Sequence, residues 1–124
     1  METTQVLAAL NALSQEHRLG IFRLLVEHAP EGLPAGSIAE RLSLAPATAS
    51  FHLKELSHAG LIASRQDGRF IWYRADLDAM NGLVGYLTEN CCRASSVCAA
   101  ACVPAGAPRP LATPLPARRK RRAA

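Results

Sequence analysis

At 124 residues the chain has room for one compact domain and a tail, which argues against a large catalytic fold. Apolar residues make up 49% but aromatic ones only 5%, so Leu, Ile, Val and Ala must fill the core. The net charge of +4 is unevenly held: residues 1 to 103 carry eight basic and ten acidic side chains, and residues 104 to 124 carry six basic and no acidic ones. The basic character belongs to the tail, so any nucleic-acid binding by the body needs a local arrangement of Arg, Lys and helix ends.

No run approaches the ~18 consecutive apolar residues that a membrane span requires, and METTQVLAAL lacks the basic start of a signal peptide. These features predict a cytoplasmic protein without a membrane partner. In that reducing compartment four cysteines are not a disulfide framework. All of them lie between positions 91 and 102, so they form a candidate site.

Thr3 or Thr4 is a suitable N-cap for a first helix on which Val6, Leu7, Leu10 and Leu13 recur at helical spacing. Ser14 ends it and is placed to cap the next. Arg18 to His28 carries Leu19, Phe22, Leu24, Leu25 and Val26, a broad apolar face for a central helix, which Pro30 and Gly32 terminate. A short third helix fits Ala35 to Arg41, with Ile38, Ala39 and Leu42 facing inward.

After Ser43-Leu44-Ala45, Pro46 occupies the favoured first position of a fourth helix, which stops at Gly60 and places Ala49, Leu53 and Leu56 on one face. Two short helices and a tight turn read as helix-turn-helix. Leu61 to Gln66 and Phe70 to Arg74 then read as strands around Asp67-Gly68, a hairpin behind the helix-turn-helix and hence a wing. Asp76 or Asp78 caps a fifth helix whose Leu77, Met80, Val84 and Leu87 form a narrow seam. That seam has no obvious partner in so small a domain, which predicts a homodimer through the first and fifth helices.

The expected fold is therefore mainly α with a β-hairpin wing, a winged helix-turn-helix. Residues 1–90 form the DNA-binding and dimerisation domain, 91–103 a cysteine-rich metalloid-binding segment, and 104–124 a disordered tail holding five of the eight prolines.

The strings ALSQEHRLGIFRLL, IAERLSLAPATASFHLKELSHAGLI and RQDGRFIWYRA, in this order of elements, resemble the ArsR/SmtB family of metal-responsive transcriptional repressors over residues 3 to 90. The matching features are Leu-Ser before the second helix, Thr-x-Ser-x-His-Leu-Lys in the fourth, Ala-Gly-Leu-Ile after it, and Gly-Arg with Tyr-Arg in the wing. The resemblance implies a winged-helix homodimer that binds double-stranded operator DNA and releases it when an ion is bound.

On a helix-turn-helix the N-terminal part of the second helix meets base edges, which assigns Ala47, Thr48, Ser50, Phe51 and His52 to readout and Lys54 to phosphate. Phe51 departs from the polar residues usual in relatives; it either contacts a thymine methyl or folds back on the wing. Arg65 and Arg69 flank the hairpin tip, suited to phosphates or a minor groove, whereas Trp72 and Tyr73 are expected to pack. His17, His28 and His58 show no ligand spacing and read as ordinary surface or packing residues.

Cys91, Cys92, Cys98 and Cys102 form the pattern CC-x5-C-x3-C. Adjacent cysteines diverge by ~100° on a helix, which disfavours tetrahedral zinc. Trivalent arsenic or antimony needs only three sulfurs, and convergence requires a bend, expected near Ala94-Ser95-Ser96 where helix propensity is modest. The third helix has Pro34, Ala35 and Gly36 where many arsenic and cadmium sensors of the family carry a cysteine pair, and no histidine follows His58 to build the family's zinc site. What remains resembles the arsenic-responsive members whose thiolates follow the last helix, which implies Cys91, Cys92 and Cys98 as ligands of As(III) or Sb(III). Cys102 is then a spare, a fourth ligand or an exchange partner.

No constitutive cofactor is expected. Other readings of the cluster are incidental thiols, another soft metal, or a thiol-redox or persulfide sensor pairing Cys92 with Cys98 or Cys102. The tail ARRKRR either adds phosphate affinity or is dispensable. No paired carboxylates, nucleophile-base motif or phosphate-binding glycine loop points to an enzyme.

Overall fold

A computed structural model of the chain describes residues 1–94, so Cys98, Cys102 and the basic tail lie outside the described residues. The elements run α1 (Thr3–Leu13), α2 (Glu16–Glu27), β1 (Leu33–Pro34), α3 (Ala35–Arg41), α4 (Pro46–His58), β2 (Ile62–Asp67), β3 (Phe70–Ala75) and α5 (Leu77–Thr88). The chain divides into two compact units, Met1–Leu83 and Val84–Ala124. The first holds the helix-turn-helix, the sheet and the core.

Two predicted caps move. Helix α1 starts behind Glu2, whose amide donates to Gln5 Oε1 at 2.8 Å, the backward-reaching half of a capping box, and neither Thr3 nor Thr4 is its N-cap. Helix α2 is capped by Gln15, which accepts from the Arg18 amide, while Ser14 closes α1 by donating to the Asn11 carbonyl. The inward face of α1 also differs from the leucine row. Val6, Ala9 and Ala12 are buried, whereas Leu7 and Leu10 are exposed. Helix α1 packs on α2 and α4, and small side chains let its backbone approach both.

The core is built from Ile21 and Leu25 of α2, Ile38 of α3, Leu53 and Leu56 of α4, and Leu61, all fully buried. Leu25, Ile38, Leu53 and Leu56 stand on the predicted apolar faces, Ile21 joins from outside the predicted row while Leu19 of that row is exposed, and Leu61 comes from the predicted first strand; each side chain buried from water contributes about 1.5–3 kcal/mol. Helices α3 and α4 pack on each other across the turn Leu42–Ala45. There Ser43 takes the left-handed conformation (φ 55°), Leu44 N–H donates to the Ala39 carbonyl and Ser43 N–H to that of Glu40. This Schellman arrangement satisfies the last carbonyls of α3 and sets the direction in which α4 departs. Gly60 (φ 78°) closes α4 in the same way, with Leu61 N–H bonded to the Leu56 carbonyl.

The wing is a three-stranded antiparallel sheet in the order β1-β3-β2. Its third member, β1, was not foreseen, because two residues containing a proline carry no strand pattern. Leu33 pairs with Tyr73, and Gly32 just before it lies so close that a Cβ there would collide with the Tyr73 carbonyl. The hairpin loop is Gly68-Arg69, since Asp67 pairs with Phe70 as the last strand residue. Gly68 has φ 64° and Arg69 does not have positive φ, the pattern of a II′ turn with Gly at its first central position.

Asp76 Oδ1 accepts from the Ala79 amide and starts α5, as one of the two expected caps. The buried residue of α5 is Leu83, which lies outside the predicted row, while Leu77 and Leu87 are exposed.

Candidate nucleic-acid interface and thiol pair

Helix α4 seats itself through Ala49, Leu53 and Leu56, which turns Ala47, Thr48, Ser50, Phe51 and Lys54 to solvent. Phe51 is 56% exposed and does not fold back on the wing; its ring meets that of His52 edge-on at 5.4 Å. His52 corrects the sequence expectation. It is 7% exposed, and its ring lies 5.6 Å from that of His17 on α2, so it cannot read bases. Positions 49, 52, 53 and 56 form the i, i+3, i+4, i+7 row of one helix face, a signal present in the sequence that the polarity of histidine hid.

Nδ1 of His52 is buried without a hydrogen-bond partner. Burial first, then the nearby charges of Arg18 and His17, push its pKa below the ordinary histidine value, with Glu55 opposing. The neutral imidazole is therefore the form that suits this position.

On the wing, Arg65 and Arg69 are both exposed. They are not equivalent. The Arg65 guanidinium rests over the Trp72 ring at 5.1 Å and reaches toward the Glu31 carbonyl at 3.5 Å, whereas Arg69 sits in the turn itself. Trp72 and Tyr73 are half-buried. Phe70 and Ile71, which the sequence reading left without a role, are 62% and 45% exposed beside Arg69.

The second unit carries the thiols. The chain leaves the helix at Thr88 through two turns in which Cys91 N–H bonds the Thr88 carbonyl and Arg93 N–H that of Asn90, while the bend expected near Ala94-Ser95-Ser96 reaches outside the described residues. Asn90 (φ 65°) and Cys92 (φ 62°) are both left-handed. The ~100° divergence of neighbours on a helix therefore does not apply, and the Sγ atoms of Cys91 and Cys92 stand 3.7 Å apart. An ion bonded to two sulfurs at ~2.3 Å with a tetrahedral angle spans ~3.8 Å between them, so one soft ion fits both. Among the described residues no group of three or more His, Cys, Asp or Glu is placed to hold a metal.

Residues 13–65 match a family model described as a helix-turn-helix domain. The chain is 33% identical to the HTH-type transcriptional regulator YbzH of Bacillus subtilis over 88 residues, 61% of this chain and 88% of that one. Among solved structures, an ArsR-like transcriptional regulator from Rhodococcus sp. RHA1 superimposes with a TM-score of 0.59 and 32% identity, covering 68% of this chain and 76% of its own. The chain belongs to the ArsR-like helix-turn-helix transcriptional regulators.

Further matches vary in extent. With YceK of Bacillus subtilis, identity reaches 45% over 58 residues, 47% of this chain, so the chain spans just over half (57%) of that relative's length. The homodimeric winged helix-turn-helix DNA-binding domain of Mb0332 from Mycobacterium bovis, a possible ArsR-family regulator, is 28% identical with a TM-score of 0.57, covering 71% and 82% of the two chains. A structure described as a possible transcriptional regulator for arsenical resistance is also 28% identical with a TM-score of 0.57, covering 64% and 79%. These relatives are regulators, not enzymes, in line with the sequence reading.

Proposed function

We propose that this ArsR-like chain is a homodimeric repressor that grips double-stranded operator DNA with α4 and the wing and releases it on capturing As(III) or Sb(III). Ala47, Thr48, Ser50 and Phe51 meet base edges, Lys54 meets phosphate, the wing arginines meet phosphate or the minor groove, and two copies pair through the exposed leucines of α1 and α5. The homodimeric architecture of Mb0332 supports the pairing. Likeness to a regulator described for arsenical resistance supports the ligand class.

The observation that carries the ligand reading is the 3.7 Å separation of the Cys91 and Cys92 sulfurs. The two thiol sulfurs stand at the spacing that one ion would need, and a trivalent metalloid needs one more, assigned to Cys98, with Cys102 in reserve. Each thiol gives up its proton on binding. The cysteine turn follows α5 in the chain, so ordering it acts on the helix assigned to the dimer seam and on the spacing of the two α4 helices. A coupling typical of such linkage, ~1–3 kcal/mol, lowers operator affinity roughly 5- to 150-fold.

Cys92, only half-buried, also supports a second reading, a thiol-redox repressor in which Cys92 and Cys98 or Cys102 yield two protons and two electrons to an oxidant and form a disulfide. Fluorescence anisotropy of reduced protein on its own upstream DNA, titrated with arsenite, antimonite, zinc and cadmium, separates the two. Release by arsenite or antimonite alone, abolished in Cys98→Ser while DNA binding persists, is the expected outcome. Release only by oxidant leaves the repressor and replaces the metalloid with a redox signal. In the same assay Lys54→Ala with Arg69→Ala weakens binding at every sequence; unchanged affinity refutes this docking.

A further inference from the structure

Apart from Leu19, the large exposed apolar side chains of the Met1–Leu83 unit fall into two groups. Met1, Leu7, Leu10 and Leu77 lie at α1 and the start of α5, where the proposed second copy covers them. Phe51, Phe70 and Ile71 lie on α4 and at the wing tip, among the residues assigned to DNA.

The wing pair has a particular geometry. Phe70 directly follows the Gly68-Arg69 turn, and Ile71 points to the opposite face of the hairpin, because side chains alternate along a strand. Phe70 shares its face with Trp72, the ring on which the Arg65 guanidinium rests. The tip is thus apolar on both faces with Arg69 at its end, on a hairpin that carries Arg65, Arg69 and Arg74 against Asp67 alone. Three arginines suit a polyanion. Phosphate contact, however, makes no use of two bulky apolar side chains held in water beside them, and a merely solvated tip favours polar residues.

We propose that the wing tip enters the minor groove of duplex DNA and that Phe70 acts as an apolar wedge at a base step, partly unstacking it and bending the duplex. Resting on the DNA-binding reading above, this assigns Phe70 a specificity role that needs no hydrogen bond to a base. Large apolar side chains beside minor-groove arginines open base steps in this way, and pyrimidine–purine steps yield most readily. The preferred operators therefore carry such steps under each wing.

The test is a gel-shift series on circularly permuted fragments from immediately upstream of its own gene, with reduced wild type, Phe70→Ser, Phe70→Leu and Lys54→Ala. Wild type is expected to bend the fragment by at least ~20°. Phe70→Leu, still an apolar wedge, keeps the bend; Phe70→Ser loses it and about tenfold in affinity, the lower end of what burying a phenyl group contributes. Lys54→Ala weakens binding and leaves the bend angle unchanged. Because Phe70 is exposed, the serine variant folds, which its far-UV circular dichroism checks. An unbent wild-type complex, or an unchanged bend with Phe70→Ser, overturns the wedge. So does an intact bend accompanied by altered sedimentation of free Phe70→Ser, which returns the tip to a contact between protein copies. Wild type that ignores the fragment altogether removes the DNA-binding reading as well.

Discussion

His52 sits where a positive charge is least welcome, buried on the inner face of α4 with Nδ1 unpartnered and with Arg18 and His17 near. Its folded pKa lies below the ~6.5 of the unfolded chain. On acidification the unfolded state therefore takes up the proton first. The stability that this neutral histidine confers is complete above pH ~6.5 and is lost as pH falls through the lowered folded value. Thermal midpoints measured from pH 8 down to pH 5 should decline over this window, and His52→Gln should remove that part of the decline. Operator binding should weaken in parallel. A histidine on the DNA face would do the opposite, since its imidazolium would attract phosphate, so the sign of the effect also checks where the side chain lies.

Among elements, the α3–α4 turn shows how a local backbone choice places the readout helix. Ser43 is held left-handed at φ 55°, a conformation that costs most residues ~1–2 kcal/mol and glycine almost none. Ser43→Gly should therefore leave stability within about 0.5 kcal/mol, because relief of strain offsets glycine's greater unfolded freedom. Ser43→Val, branched at Cβ, should destabilise by more than ~1 kcal/mol, both read from urea unfolding. Here the sequence spoke clearly about helices and quietly about their surroundings. Pro46, Gly60 and the Ala49/Leu53/Leu56 row mark α4 because each acts through local sterics or periodicity. On α1 leucines and alanines cover nearly every side, so periodicity names no single inward face; tertiary packing chose the small one. Strand β1 is defined by its partner β3 alone. The Cys91–Cys92 approach was missed for a related reason: α5 ends at Thr88, left-handed Asn90 and Cys92 turn the chain beyond it, and only Asn90, a residue type that tolerates that conformation, hinted at it.

For the molecule as a whole, residues 1–103 are slightly acidic, so the proposed docking draws its attraction to DNA from the wing arginines and Lys54 and not from the net charge of the body. The other large surface feature is apolar. Leu7 is 60% exposed, with Met1, Leu10 and Leu77 also open, a set that a second copy is proposed to cover. If it does, the thermal midpoint should rise with protein concentration, and Leu7→Glu with Leu10→Glu should abolish that dependence; a midpoint unaffected by dilution in the wild type rejects the pairing. The inward turn of Val6, Ala9 and Ala12 then has a consequence for how long the protein lasts in a cell. Small side chains bury less apolar area than leucines would, so if a second copy covers the outer face of α1, dilution should remove part of what holds that helix in place. Limited proteolysis across a dilution series should then cut α1 faster in the dilute samples, so the lifetime of each copy would depend on how many others are present.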